Sequence, residues 1–204
     1  MEQPRVDELI LEALETEIGG AQIYRTALRC AKHADLHEEW TKYLRQTERH
    51  IDIVRGLCSA LEIDPERQTP GRRILQHKAK ALIETMELAL ASGDLGAAQL
   101  VACECVVDAE SKDHMNWELI AELARQDVAC ADALVAACEE VEEEEDEHLY
   151  HSQGWARELQ LASLGLKAVL PPPEERMDVK TAIGAARAKQ HRRWFEGAAT
   201  TDKH

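Results

Sequence analysis

Aromatic residues are scarce in this chain: Trp, Tyr and Phe make up 4% of 204 residues, and Phe occurs once. Sheets draw heavily on aromatic and β-branched side chains, so this scarcity, beside abundant Ala and Leu, points to helices. Basic residues are outnumbered, 24 Lys and Arg against 39 Asp and Glu, for a formal charge of −15. A broad nucleic-acid or anionic-membrane surface needs a basic face, so neither partner is expected, whereas cations are permitted. No apolar run approaches the ~20 residues of a membrane span. The start, MEQPRVDELILEALE, is acidic and amphipathic and lacks the basic opening and apolar stretch of a signal peptide. No C-x-x-C pair occurs among Cys30, Cys58, Cys103, Cys105, Cys130 and Cys138. They read as small reduced residues of a cytoplasmic protein rather than as a structural zinc site. There is no glycine loop for a nucleotide, since Gly19-Gly20 falls inside a helical segment, where it permits close helix approach. No Ser/His/Asp nucleophile arrangement stands out.

What is present is a globular pattern, with 45% hydrophobic residues. Five helical segments are expected, at about 4–32, 35–62, 72–91, 95–126 and 128–164. Pro4 suits a helix start, and Asp64-Pro65 stops the second segment. Gln68-Thr69-Pro70-Gly71 reads as a turn, Ser92-Gly93 ends the third segment, and Gly165 with Pro171-Pro172-Pro173 ends the fifth. Two pairs of long helices separated by a shorter one predict an all-α bundle over 1–165, with the third segment as a crossover connection. Residues 166–204 are expected to form a Pro-containing tail, loose or laid across a partner subunit. A homodimer is the default assembly.

An inward stripe on a helix repeats every three or four residues. The first segment gives Val6, Ile10, Ala13, Glu17, Gly20, Tyr24, Ala27 and Ala31. The second gives Trp40, Tyr43, Thr47, His50, Val54, Leu57 and Leu61. The fourth gives Gln99, Cys103, Val106, Glu110, His114, Trp117, Ala121 and Ala124. The fifth carries EEVEEEEDEHLYH, in which eight of the nine residues from Glu139 to Glu147 are acidic. Its stripe runs Leu134, Cys138, Val141, Glu145, His148, Ser152, Trp155 and Leu159. Glu145 and His148 therefore turn inward, Glu144 sits at the margin, and the other acidic residues mostly face solvent. All four stripes become polar near their middles. Lone buried carboxylates cost several kcal/mol unless neutralised or paired, and a shared cation would supply the partner. His33, His37, His77, His151, His191 and His204 read as solvated or as local hydrogen-bond partners. Tyr24, Tyr43, Trp40 and Trp117 read as core before redox groups.

These residues carry a resemblance to the ferritin-like superfamily of non-haem di-iron carboxylate proteins, which includes rubrerythrins, bacterioferritins and small bacterial stress-related proteins. That family takes one Glu from each of two helices and a Glu-x-x-His from each of the other two. Glu17 and Glu110 match the single Glu positions, and Glu145-x-x-His148 matches one Glu-x-x-His. The likeness spans about residues 5–164, and the crossover segment looks like the stress-related branch. In QTERH of the second segment, Thr47 stands three before His50 where the family has a Glu that commonly bridges the metals. Glu48 is about 100° further round the helix. His114, one turn after Glu110, and Glu144 are the candidate replacements. A complete site with altered ligands, a single metal and no metal all remain open.

The candidate metal set is thus Glu17, His50, Glu110, His114, Glu145 and His148. A mixed carboxylate and imidazole set suits iron, manganese or zinc. In a five-ligand version Glu17 and His50 serve one ion, Glu110 and His148 the other, and Glu145 bridges. The resemblance implies two irons and an oxidase or peroxide-reducing function linked to iron or oxidative stress, with oxygen or peroxide as co-substrate. Tyr24 and Trp117, two turns from ligands, could shield such a site or relay an electron. The alternative is a metal-free bundle acting as a structural or regulatory interaction protein.

Overall fold

The structure is a computed structural model that describes residues 3–126 and 130–167. The tail expected over 166–204 lies outside the described residues from 168 onward. The described chain is all-α: α1 Gln3–Cys30, α2 Ala34–Ala60, α3 Pro70–Ala91, α4 Leu95–Ala124 and α5 Ala131–Ser163. No described helix is long and apolar enough to cross a membrane.

Local chemistry sets the boundaries. Thr69 caps α3 by accepting from the Arg72 N–H, and Pro70 fills the first turn, where its missing N–H costs nothing. The expected turn at 68–71 is therefore the cap and first turn of α3. Asp94 caps α4 through the Gly96 and Ala97 N–H groups. The short α1–α2 connection is held by Gln99 Oε1, which accepts from Lys32 N–H at 2.7 Å and His33 N–H at 2.6 Å. At the end of α5, Gly165 takes φ +72° and Leu166 N–H reaches back to the Leu161 carbonyl at 2.9 Å, closing the helix in the left-handed conformation Gly allows.

Pairings along the helices give their directions. Trp117 meets Glu17, and Gln99 near the start of α4 meets Lys32 just past the end of α1, so α4 runs against α1. Lys42 meets Glu147 and Arg49 meets Glu144, so α5 runs against α2. His114 meets Asp146 and Gln160 meets Glu104, so α5 also runs against α4. The long helices close a ring, α1–α2–α5–α4, in which each neighbour is antiparallel. Because α2 and α4 then point the same way, the chain must return along the bundle between them. Helix α3 makes that return parallel to α1, packed over α1 and α4. Gly19 permits this: a Cβ there would lie 2.8 Å from Ala79 Cβ. Buried Arg72 staples the start of α3, pairing with Glu15 at 2.8 Å and donating to the Pro65 and Arg67 carbonyls.

Inside the ring the core has two apolar ends. One is built around Ile10, Leu14, Val54, Leu57, Ile120, Leu134 and Val141, the other around Tyr24, Leu36, Trp40, Tyr43, Met86 and Val106. Burying one such large side chain contributes about 1.5–3 kcal/mol, so the two ends hold the ring together. Between them lies a polar layer that includes Glu17, Thr47, His50, Glu110, Asp113, Glu145 and His148, all buried.

Candidate metal centre

Four helices deliver this layer. Glu17 comes from α1, His50 from α2, Glu110 from α4, and Glu145 with His148 from one turn of α5. Three of their ligand atoms cluster as Glu17, His50 and Glu145, and three as Glu110, Glu145 and His148, each set within 4.8 Å. Glu145 belongs to both groups. His50 Nδ1 lies 3.0 Å from Glu145 Oε1 and 3.5 Å from Glu17 Oε1. His148 Nδ1 lies 3.5 Å from Glu145 Oε1 and 3.6 Å from Glu110 Oε2. The two imidazoles are near-parallel, with centroids 5.8 Å apart.

The outward edges of both rings are tied down. His50 Nε2 meets Glu144 Oε2 at 2.9 Å, and His148 Nε2 meets Gln46 Oε1 at 3.0 Å. A carboxylate accepts only, and so does an amide oxygen, so each Nε2 is the N–H donor and each Nδ1 can offer its lone pair inward. Such outer hydrogen bonds orient imidazole ligands. Gln46 also bonds Glu144, and Arg49 pairs with Glu144 at 2.7 Å, so one network fixes both rings. Trp117 Nε1 donates to Glu17 Oε1 at 2.9 Å. Tyr43 lies against His148 with centroids 4.3 Å apart and the rings tilted by 45°, walling off one side.

Facing inward, the same groups lack hydrogen-bond partners. Glu17 Oε2, Glu110 Oε2, both Glu145 oxygens and His50 Nδ1 are buried without one. The His50–Glu145 approach is close but misaligned, and so acts as an electrostatic contact. Burial pushes the Glu145 carboxyl up to about 7, with Glu17 and Glu110 adding repulsion against the attraction of His50 and His148. Burial disfavours a charged His50, but the facing carboxylates of Glu145 and Glu17 outweigh it and raise the imidazole to about 11. His148 moves upward too, burial being overcome by Glu110 and Glu145. Without a cation this layer holds protons. Convergent buried carboxylates and lone pairs with no other partner fit a divalent ion, which would replace those protons.

The candidates do not all converge. His114 stands apart from both groups, its Nε2 on Asp146 at 2.9 Å. The fourth-helix stripe runs through Asp113 and Ile120 instead of His114 and Ala121. Asp113 lies beside Glu17 of α1, whereas His114 lies against Asp146 and Tyr150 of α5. Thr47 is buried against Gly20, where a Cβ would lie 3.5 Å from its methyl group. Glu48 is outside, paired with Arg25 at 2.6 Å. Glu144 stays at the margin and supports His50 from behind.

Two participants are absent from the sequence reading. Asp113 is 4% exposed and has an unpartnered Oδ1. Burial, then the carboxylates of Glu17, Glu145 and Glu110, drive it well above the usual carboxylate range, so it is held protonated beside Glu17. Its signal was its place three after Glu110. Gln46, four before His50, had the corresponding signal on α2.

A second, partly buried polar cluster lies toward the other end of the same α2–α5 seam. Glu39 Oε1 accepts from Tyr43 Oη at 2.6 Å and contacts His151 Nδ1 at 3.0 Å. Glu39 Oε2 accepts from Trp155 Nε1 at 2.8 Å. His151 is thus buried, as a hydrogen-bond partner and not as a solvated group. Comparison with protein-family models, with curated proteins and with solved structures found no match.

Proposed function

We propose that the polar layer binds one metal ion at each of its two residue groups, in a ferritin-like bundle, and uses iron to react with oxygen or peroxide. The observation that carries this reading is Glu145, buried, common to both groups and unpartnered at both oxygens. Glu17 and His50 would hold one ion and Glu110 and His148 the other, with Glu145 between them. Bound iron would supply reversible one-electron chemistry and open positions for a small oxidant. Manganese or zinc would suit the same donors.

The chain's own contribution is orientation and exclusion. Glu144 and Gln46 keep the two Nδ1 atoms turned inward. Trp117 fixes Glu17, and Tyr43 with the two apolar ends keeps bulk water away. Asp113 holds a proton next to Glu17, offsetting the charge that a full ionised carboxylate set would build up. With Thr47 in place of a carboxylate, the five donors carry three negative charges when both imidazoles are neutral. A pair of divalent ions is then left partly uncompensated, which favours binding of anionic or polarisable oxidants.

Anaerobic titration with ferrous iron followed by admission of air tests the reading. Saturable binding that is lost in Glu145→Ala, then oxidation faster than in buffer, is expected. No binding above the Glu145→Ala control would remove the metal centre and leave the structural or regulatory bundle. Binding without accelerated oxidation would remove only the oxidase reading.

A further inference from the structure

The ligand atoms are sealed: Glu17 and His50 are 0% exposed, His148 1%, Glu145 2% and Glu110 3%. An ion therefore needs a defined way in. A cavity of about 500 Å³ lies between α4 and α5, and Glu145 and Trp117 are part of its lining. The same lining holds Glu118, Glu122, Glu142 and Asp146 against one guanidinium, Arg125, which is itself paired with Glu122. His114 also lines the cavity, bonded to Asp146 and 3.8 Å from Glu118 through its other nitrogen. A cleft of similar size on the α3 side is different in kind. Lys78 and Lys112 balance Glu15 and Asp108 in its lining, and no residue of either group lines it.

We propose that the α4–α5 cavity is the passage by which divalent cations reach the buried groups, with Asp146 and His114 as the transit point above Glu145. This rests on the metal-binding reading. An acidic cleft with low-dielectric walls focuses field lines and concentrates cations at its mouth. Its inner residue is Glu145, nine-tenths buried and more, with both oxygens lacking hydrogen bonds. Asp146 neighbours Glu145 in sequence but turns toward the cleft, so one turn of α5 presents an outer and an inner carboxylate in succession. His114 occupies the outer one while no ion passes. The residue expected as a ligand is thereby assigned to the path.

The test is the rate of loading of the metal-free full chain with Co²⁺, followed by stopped-flow visible absorption, in wild type, Asp146→Asn, His114→Gln and Ala121→Trp. Ala121 lines the cavity, and the bulky residue would obstruct it without touching a charge. Loading is expected to slow by about tenfold or more in Asp146→Asn at low ionic strength, with a shallower salt dependence. It is expected to slow in Ala121→Trp at any salt. Final Co²⁺ content and dissociation constant should stay at the wild-type values, because a change confined to the path alters loading and release alike. Unchanged rates in all three variants would overturn the passage and leave the centre standing. Loss of bound Co²⁺ in Asp146→Asn, with circular dichroism unchanged, would overturn the transit role by making Asp146 a ligand. No Co²⁺ binding by wild type would overturn the centre and the passage together.

Discussion

Glu39 and Glu145 are carboxylates on the same α2–α5 seam, the first half-buried and the second buried, and they sit in opposite electrostatic states. Burial alone would raise Glu39, but hydrogen bonds from His151, Tyr43 and Trp155 outweigh it and hold the carboxyl down at about 2. Glu145 is more deeply buried and, with two imidazoles nearby, still stands at about 7, with both oxygens unpartnered. The difference lies in closure. Glu39 is surrounded by donors aimed at it, whereas Glu145 faces other carboxylates and a misaligned imidazole. A closed site stabilises the fold and needs nothing further. An open one costs stability in the free protein and recovers it on binding a cation.

Substitution at the two positions should separate these roles. The largest expected effect is on metal affinity in Glu145→Gln, a loss of at least about 100-fold, since a donor common to both groups is removed. The metal-free form of that variant should be as stable as wild type or more stable at pH 8, because an unsatisfied buried charge is gone. Isothermal titration and urea unfolding check the pair. Glu39→Ala should do the reverse. It orphans the Tyr43 hydroxyl and the Trp155 N–H, so urea unfolding should show a loss of about 3 kcal/mol with metal binding retained. If Glu39→Ala instead abolishes binding, the two clusters are one functional unit and the contrast fails.

Smaller effects would sharpen it. Glu144→Gln weakens the hold on His50 without removing a ligand, and an affinity loss of about 10- to 100-fold is expected in the same titration. The pH dependence should be opposite in sign at the two sites. Glu39 has a folded value below its unfolded one, so its stabilisation is present above about 4.3 and fades as pH falls toward 2. Glu145 has a folded value above its unfolded one. It therefore costs nothing at low pH, and its penalty grows as pH rises from about 4.3 and levels off above 7. Urea unfolding of metal-free wild type, Glu39→Gln and Glu145→Gln across pH 3 to 9 measures both trends.

How much of this was legible depended on helix surroundings. Phase alone divided most of the acidic run of α5: Glu139, Glu140, Glu142 and Glu143 are exposed, Glu145 is buried and Glu144 lies between, while Asp146 and Glu147, expected to face solvent, are half-buried against His114 and Lys42. Over the acidic run a single stripe, Val141, Glu145 and His148, describes that helix, whereas Ala137 is buried in place of Cys138 before it, and Trp155 and Leu159 beyond it are half-buried. Helix α4 is covered by α1, α3 and α5, and its wider buried arc takes in Asp113. No periodicity argument could choose between positions three and four after Glu110, since both lie one turn away. The choice lies in tertiary packing: Asp113 falls beside Glu17 of α1, and His114 falls against Asp146 of α5. His151 was hidden for a related reason: it and Ser152 are both buried, because α5 turns a broader face inward as it passes Glu39.

The central claim is that the polar layer is built for cations. Metal analysis of protein purified, loaded anaerobically with ferrous iron and desalted tests it most directly. The account predicts about two ions per chain in wild type and none above background in Glu145→Ala. Equal, near-zero content in both proteins, each folded by circular dichroism, would contradict it.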